Sequence, residues 1–307
     1  MLYPSTSPAQ KRLDLRRILA DGPRNGGTIK QFPGAYTPIS AKLIEEKGYD
    51  GVYISGAVIA NELGFPDIGL TTLTEVAHRA GQIARMTNLP AIVDADTGFG
   101  EPMNVARTVQ ELEDAGLAGC HIEDQFNPKR CGHLDNKNIV DEDTAIKRIR
   151  AAAQARRDEN FLIMARTDLR GVDGLDAAVD RMKALVDAGA DAIFPEAMKD
   201  LGEFEAVREA VDVPVLANMT EFGKSRLYTT DELSGSGVDM VIYPVTLLRS
   251  SLGAMERVLD DIGAHGTQEA SVDEMLTRQR LYELVDYEAY NAFDTGIFNF
   301  EVPERFQ

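Results

Sequence analysis

The chain has 307 residues, 44% of them hydrophobic, which suits one large α/β domain or two smaller domains. Its formal net charge of −18 argues against binding to a nucleic-acid backbone, and no apolar run approaches the roughly 18 residues of a membrane-spanning helix. It has only two cysteines, Cys120 and Cys131, and its first residues contain no apolar signal segment. We therefore predict a cytoplasmic protein with neither nucleic acid nor membrane as a partner.

An N-terminal arm over about residues 1–24, with a short amphipathic helix, precedes eight strand-like runs. Four of these runs follow a glycine that can end a helix, and each run is apolar enough for a buried strand. In chain order they are GTIKQF (27–32), KGYDGVYISG (47–56), LPAIVDAD (89–96), AGLAGCHIED (115–124), NFLIMARTD (160–168), AGADAIFPEA (188–197), VPVLANMTE (213–221) and SGVDMVIYPV (236–245).

The stretches between these strands are typical of amphipathic helices. NVARTVQELEDAG, DEDTAIKRIRAAAQARR and GLDAAVDRMKALVDAG carry apolar residues at i, i+3, i+4 and i+7. Alternating strands and helices predict an α/β fold, a (β/α)8 TIM-type barrel, formed by a single domain over residues 1–307. A doubly wound open sheet is the alternative, but the chain lacks the GxGxxG turn of a Rossmann unit. A helical tail over about 247–307 contains RLYELVDYEAYNAF, whose aromatic residues we expect to pack on a neighbour.

Polar side chains recur at the predicted carboxyl ends of the strands, where barrels of this kind carry their active sites. Charged residues are costly at the ends of buried strands unless something binds there. The polar strand ends are Ser55, Gly56, Asp94, Asp96, Glu123, Asp124, Arg166, Asp168, Glu196, Asn218 and Thr220. Their recurrence on most of the strands predicts a binding site for an anionic small molecule at this end of the barrel.

Asp94 and Asp96 lie two residues apart, which places both side chains on the same face of a strand. Two neighbouring carboxylates repel each other unless a cation lies between them, and hard oxygen ligands favour Mg²⁺. Asp67 in FPDIG and Glu123 on the next strand are candidate outer ligands. The alternative is that the two aspartates cap a loop and a helix N-terminus.

Arg166 follows an apolar strand and has the planar fork that binds a carboxylate. The alternative is an internal salt bridge from Arg166 to Asp168 or Glu196. Asn218 and Thr220 either bind a carboxylate or fill the barrel interior.

The motif KRCGH (129–133) places Cys131 among cations in a polar loop. Nearby cations lower the pKa of a thiol, so we interpret Cys131 as an acid/base group or nucleophile on a mobile loop. A zinc site that uses both cysteines is poorly built, because Cys120 and His121 face opposite sides of a strand and the chain has no CxxC pair.

Ten motifs give the chain a resemblance to the isocitrate lyase/phosphoenolpyruvate mutase superfamily over roughly Gly26 to Phe300. They are YISG, FPDIGL, VDADTGFG, NVARTV, HIEDQ, KRCGH, IMARTD, FPEA, LANMTEFG and LYTTDEL. KRCGH after the DAD motif is typical of the lyase branch, and the chain looks like the members that cleave 2-methylisocitrate. True isocitrate lyases resemble it too but are longer.

The resemblance implies roles for the matching positions. Mg²⁺, with Mn²⁺ as an alternative ion, is expected at Asp94 and Asp96, with Asp67 and Glu123 as water-bridged ligands. The implied catalytic residues are Cys131, Tyr53, Lys129 and His133. The implied substrate contacts are Ser55, Gly56, Ala57, Cys131, Gly132, Arg166, Glu196, Asn218, Met219, Thr220 and Arg249. Two positions depart from the family pattern: Ala57 replaces a glycine, and Leu134-Asp135 replaces Arg-Pro.

The implied reaction is Mg²⁺-dependent cleavage of a tricarboxylate, 2-methylisocitrate, to pyruvate and succinate in the methylcitrate cycle of propionate catabolism. Phe194 and Ile242 are predicted to line an apolar pocket for the methyl group. The alternatives are an isocitrate lyase, an oxaloacetate decarboxylase or phosphonate C–P enzyme on the same barrel, and a barrel without catalytic activity. Relatives also imply a homotetramer in which a late helix is swapped between subunits.

Overall fold

The computed structural model describes residues 4–130 and 138–298. The chain forms two compact units, one from Thr6 to Arg249 and one that comprises Ser250 onward with the first five residues. Among the described residues, no helix combines the length and apolar character needed to cross a membrane.

Eight parallel strands form the centre of the larger unit. They are β1 (Lys30–Pro33), β2 (Val52–Ile54), β3 (Ala91–Asp94), β4 (Gly119–Glu123), β5 (Leu162–Thr167), β6 (Ala192–Pro195), β7 (Leu216–Asn218) and β8 (Met240–Tyr243). One sheet runs β2-β3-β4-β5-β6 and the other β1-β8-β7. Single bridges at Gly34–Tyr53 and Ile193–Val215 join the two sheets at both seams. The ring is therefore closed, which confirms the predicted barrel and excludes the open sheet.

The helices follow the strands in the order that the sequence predicts. They are α1 (Pro8–Ala20), α2 (Pro38–Glu46), α3 (Gly56–Glu62), α4 (Leu73–Ala84), α5 (Pro102–Asp114), α6 (Glu142–Ala155), α7 (Arg170–Asp173), α8 (Leu175–Asp187), α9 (Leu201–Ala210), α10 (Thr230–Gly235), α11 (Thr246–His265), α12 (Arg278–Leu284) and α13 (Tyr287–Phe298). Thr72 and Glu75 form a capping box at the start of α4, as Thr229 and Glu232 do at α10. Such caps each stabilise a helix by about 1 kcal/mol.

The period-2 alternation of the strands divides the core into two layers. Cys120 and Ile122 of β4 face outward into the layer between strands and helices, so His121 and Glu123 face into the barrel. Burial raises the pKa of the Cys120 thiol far above its usual range, so this cysteine is an inert part of the core. The barrel interior is filled by Phe32, Tyr53, Ile92, Leu162, Met164, Phe194, Leu216, Met240 and Ile242.

Helix α1, within the predicted N-terminal arm, packs against the amino-terminal end of the barrel. Leu15 and Leu19 are fully buried in the same cluster as the interior side chains. Arg12 Nε donates to the carbonyl of Leu117 at 3.0 Å, just before β4. This packing covers the end of the barrel opposite to the predicted site.

Candidate active site

A cleft opens at the carboxyl ends of the strands, within the unit Thr6–Arg249. Its lining consists of Tyr53, Ser55, Ala57, Asp67, Asp94, Lys129, Arg130, Arg166, Phe194, Glu196, Asn218, Thr220, Pro244 and Val245. Most of these positions belong to the site predicted from the sequence. The parallel strands bring them together because all their carboxyl ends point the same way.

The turn after β3 brings Asp94 and Asp96 together beside Gly56. Asp94 Oδ1 accepts the backbone N–H of Asp96 at 2.9 Å, and Asp94 Oδ2 accepts the N–H of Gly56 at 3.2 Å. Asp96 has left the strand and has a φ of 47°. A Cβ at position 56 would lie 2.9 Å from Asp94 Oδ2 and 3.1 Å from Asp96 Oδ1. A side chain at position 56 would therefore displace the two carboxylates that approach this backbone position.

Lys129 places its ammonium group between two of the carboxylates. Its side chain is buried, Nζ lies 2.7 Å from Asp96 Oδ1, and Nζ also forms an ion pair with Asp67. Burial opposes the charge, but Asp96, Glu123 and further carboxylates raise the pKa of Lys129 well above its usual range. Lys129 is therefore a fixed cation at neutral pH and not a proton donor.

The two aspartates differ in their electrostatic environment. Burial opposes the charge of Asp94, yet His121, Lys129 and Arg166 lower its pKa below the usual range. His121 is itself neutral near pH 7, because burial lowers its pKa to about 4, so the lysine and arginine supply the positive charge. Burial and the neighbouring Asp94 raise the pKa of Asp96. Asp94 is thus the carboxylate that stays ionised most firmly.

The donor atoms fit a hydrated divalent cation, although no preformed cage exists in the part of the chain that the structure describes. There, no three His, Cys, Asp or Glu side chains converge closely enough to hold a metal by themselves. Oε1 of Glu123 is buried without a hydrogen-bond partner, while Oε2 of Glu123 and Oδ1 of Asp96 are approached by the cations of Arg166 and Lys129. A hard cation that keeps several waters needs only one or two direct carboxylates and satisfies such oxygens through its waters.

Arg166 is held by acidic side chains on three sides. Its Nε lies 2.9 Å from Asp168 Oδ2 and 3.3 Å from Glu123 Oε2, and its Nη2 lies 3.4 Å from Glu196 Oε2. The guanidinium also lies over the ring of Phe194, at 5.2 Å from the centroid. The strand register explains these contacts, because Glu123, Arg166 and Phe194 are paired across β4, β5 and β6. The internal salt bridge that the sequence left as an alternative is therefore present.

Tyr53 reaches the cleft from β2 and is hydrogen-bonded in the barrel interior. Its hydroxyl lies 2.7 Å from His121 Nε2, and the two rings are nearly parallel. Phe194 meets His121 edge-on at 5.1 Å between the ring centroids. Burial and the charge of Asp94 raise the pKa of Tyr53 well above its usual range, so its phenol is protonated at neutral pH.

Three predicted side chains, those of Met219, Ile242 and Arg249, do not line the cleft. The side chain of Met219 packs into the outer core, and its backbone N–H donates to the carbonyl of Ile242 at 3.0 Å. Neither the side chain nor the N–H of Met219 is therefore available to a substrate. Ile242 is fully buried in the barrel interior and does not line the cleft, whereas Phe194 does. Arg249 is not on the lining either: its Nη1 donates to Thr220 Oγ1 at 3.3 Å and forms an ion pair with a neighbouring glutamate.

Three predicted residues of the site lie outside the part of the chain that the structure describes, and three residues that line the cleft were not predicted. Cys131, Gly132 and His133 lie outside the described residues. Asn218 lines the cleft and donates from Nδ2 to Glu196 at 3.4 Å. The cleft is also lined by Arg130, Pro244 and Val245, which were not predicted as site residues. Arg130 belongs to the KRCGH motif, and Val245 is the last residue of the last strand-like run.

Residues 24–263 match the model of the family described as phosphoenolpyruvate phosphomutase. The chain is 56% identical to the probable 2-methylisocitrate lyase 2 of Corynebacterium glutamicum, over 96% of this chain and 95% of the relative. The chain belongs to the phosphoenolpyruvate mutase/isocitrate lyase superfamily. It is also 46% identical to the 2-methylisocitrate lyase of Escherichia coli, over 87% of this chain and 91% of that one. The resemblance seen in the motifs is confirmed.

Solved structures of superfamily members agree with this assignment. A structure of 2,3-dimethylmalate lyase superposes with a TM-score of 0.87 at 32% identity, covering 98% of this chain and all of the other. A structure of phosphonopyruvate hydrolase in complex with oxalate and Mg²⁺ superposes with a TM-score of 0.81 at 27% identity, covering 93% and 98% of the two chains. The superfamily fold therefore extends over nearly the whole chain.

Proposed function

We propose that the protein is a Mg²⁺-dependent carbon–carbon lyase that cleaves 2-methylisocitrate to pyruvate and succinate. The observation that carries the proposal is the position of Lys129. This residue opens the KRCGH motif and reaches Asp67 and Asp96, so the cysteine-bearing motif starts at the acidic cleft. The relatives named 2-methylisocitrate lyase, at 46% and 56% identity over most of the chain, support the same substrate.

The cleavage is a retro-aldol-type step. A base removes the proton of the 2-hydroxyl, the adjacent C–C bond breaks, and its electron pair passes to the succinyl half as an enediolate while pyruvate leaves. Cys131 then donates the proton of its thiol to the succinate carbanion as the general acid. Tyr53 is our candidate for the base. Its phenol is protonated in the free protein even with Arg166 nearby, so it must first lose its proton, and a bound cation beside Asp94 would favour the phenolate.

Asp94 and Asp96 would hold Mg²⁺ directly, with Asp67 and Glu123 reached through water, and Mn²⁺ is the alternative ion. The bound ion supplies Lewis-acid stabilisation of negative charge on the oxygens of the substrate. A superfamily structure with Mg²⁺ and oxalate supports this assignment.

Substrate carboxylates would be held by the cations of the cleft. Arg166 and Lys129 lie buried among the carboxylates, and Asn218 and Thr220 add hydrogen-bond donors to the lining. Arg249 stands behind Thr220 and orients its hydroxyl. Phe194 offers an apolar surface for the methyl group, a contact worth about 1–3 kcal/mol in discrimination against isocitrate.

Proton NMR of the purified protein with racemic 2-methylisocitrate and Mg²⁺ tests this function. Equal amounts of pyruvate and succinate are expected, and removal of the metal with EDTA should stop their release. Release of a different product pair, or turnover that EDTA leaves unchanged, would contradict the proposal.

We further infer a homotetramer in the cytoplasm. The second unit exposes Leu252, Met255, Leu259 and Ile262 of α11 at alternating spacings of three and four residues. This spacing is typical of a seam between two helices, and a second copy of the chain, with its late helices exchanged, would cover it. The free thiol of Cys120 fits a reducing compartment.

Light scattering tests the assembly. We expect the mass of four chains for the protein, and a smaller assembly for Leu259→Glu, because a carboxylate would be buried in the seam. Arg257→Glu, on the opposite face of α11, is the matched control and should leave the mass unchanged. A monomeric wild-type protein would contradict the inference.

A further inference from the structure

Gln125, the last residue of the HIEDQ motif, directs its whole side-chain amide at the main chain of one other residue. Its Oε1 accepts the backbone N–H of Arg130 at 2.8 Å, and its Nε2 donates to the carbonyl of Arg130 at 2.7 Å. Gln125 is 1% exposed. The amide thus pairs with Arg130 as a neighbouring strand would, across the four residues that lie between them.

The backbone of Gln125 is itself held firmly. Arg148 of α6 donates from Nη1 to the carbonyl of Gln125 at 2.9 Å and to that of Glu123 at 3.1 Å. An antiparallel bridge joins Gln125 to Ile139. The main chain of Gln125 is therefore fixed just after β4. The two hydrogen bonds of its side-chain amide fix the main chain of Arg130 relative to it.

The contact between Gln125 and Arg130 also fixes the main chain at the neighbouring residue, Lys129. The N–H that Gln125 accepts belongs to the peptide that links Lys129 to Arg130. From this peptide the Lys129 side chain turns into the cleft, where it is 3% exposed and paired with Asp96 and Asp67. A flexible lysine loses side-chain entropy when it is held in this way, and a fixed backbone leaves fewer rotatable bonds to be ordered.

We propose that Gln125 is a positioning residue that fixes the main chain at Arg130 and thereby holds the Lys129 ammonium group between Asp67 and Asp96. The inference rests on the proposed function, because it gives the lysine of the catalytic set its place in the cleft. Gln125 itself does not line the cleft.

Lysine labelling read by mass spectrometry tests this placement without any turnover. In the wild-type protein we expect acetic anhydride to modify Lys129 much more slowly than the exposed Lys147. Gln125→Met keeps the shape of the side chain but makes neither hydrogen bond, and should raise the rate at Lys129 by about tenfold or more. Lys11 is a buried residue of α1 whose ammonium group donates to the carbonyl of Ala84, and its labelling rate should stay unchanged.

Gln125→Asn is the second variant, for the case that the methionine variant does not fold. It keeps the amide but is one methylene too short to reach Arg130, and should raise the Lys129 rate as well. Gln110→Met is the matched control, since it removes a glutamine that donates to the carbonyl of Ala155 on the surface. Its labelling pattern and activity should equal those of the wild type.

Kinetics provide the second readout. Because Gln125 acts through Lys129, which would hold a substrate carboxylate, both Gln125 variants should raise KM more than they lower kcat, with folding confirmed by slow labelling of Lys11. An unchanged labelling rate at Lys129 in a folded Gln125 variant would overturn the proposal. If the wild-type protein had no lyase activity, the proposed function would fail while the labelling result still stood.

Discussion

Asp94→Asn is expected to lower kcat/KM by at least about a thousandfold and to remove binding of Mg²⁺ by the free protein. Asp94 is the carboxylate of the cleft whose pKa lies below its usual range, and it accepts two backbone N–H groups. Asparagine keeps the shape but loses the charge, and its amide NH₂ must face one of the two N–H donors. The variant would therefore lose both the proposed metal ligand and the link between Gly56 and Asp96.

Calorimetric titration with Mg²⁺ and steady-state kinetics measure the two effects. Asp114→Asn is the matched control, because Asp114 lies on the surface, where it pairs with Arg157, and its loss should leave both quantities unchanged. A fully active, metal-dependent Asp94→Asn enzyme would show that the metal is bound elsewhere.

Cys131→Ala is expected to lower kcat by roughly 10³–10⁴-fold while the protein stays folded. Without the thiol, the succinate carbanion has no positioned acid to protonate it. We expect the cations in KRCGH to lower the pKa of the Cys131 thiol, so iodoacetamide should alkylate one cysteine per chain and inactivate the enzyme. Cys131→Ser should be impaired as well, since a hydroxyl is a weaker acid than a thiol.

Cys120→Ala is the matched control for this experiment. Cys120 is fully buried and its thiol pKa is raised, so it should neither react with iodoacetamide nor be needed for turnover. Near-normal activity of Cys131→Ala, or alkylation at Cys120 instead, would remove Cys131 from the role of general acid.

The eight strands were predictable because each is short, apolar and preceded or followed by a helix of clear period. The strand ends also predicted which residues meet, since parallel strands carry their carboxyl ends to one rim. The depth of a side chain was not predictable. The period-2 pattern shows that the side chain of Ile242 points into the barrel. It does not show whether this side chain lines the cleft or lies below it, as it does in the structure.

The detailed geometry of the site needed contacts that no local pattern encodes. The sequence places Asp94 and Asp96 on one face of a strand, whereas in the structure Asp96 lies in a turn and Gly56, from another strand end, brings the two together. The sequence named Asp168 and Glu196 as possible partners of Arg166, but the ion pair of Arg166 with Glu123 follows from the register of β4 and β5, which strand periodicity alone leaves undefined.

The products of the reaction identify the substrate that the protein cleaves. The most direct measurement compares pyruvate release from racemic 2-methylisocitrate with glyoxylate release from isocitrate, in parallel assays with Mg²⁺ and equal enzyme. We predict strong pyruvate release and little glyoxylate. Dominant glyoxylate would contradict the account and make the protein an isocitrate lyase, and the absence of both products would exclude both lyase assignments.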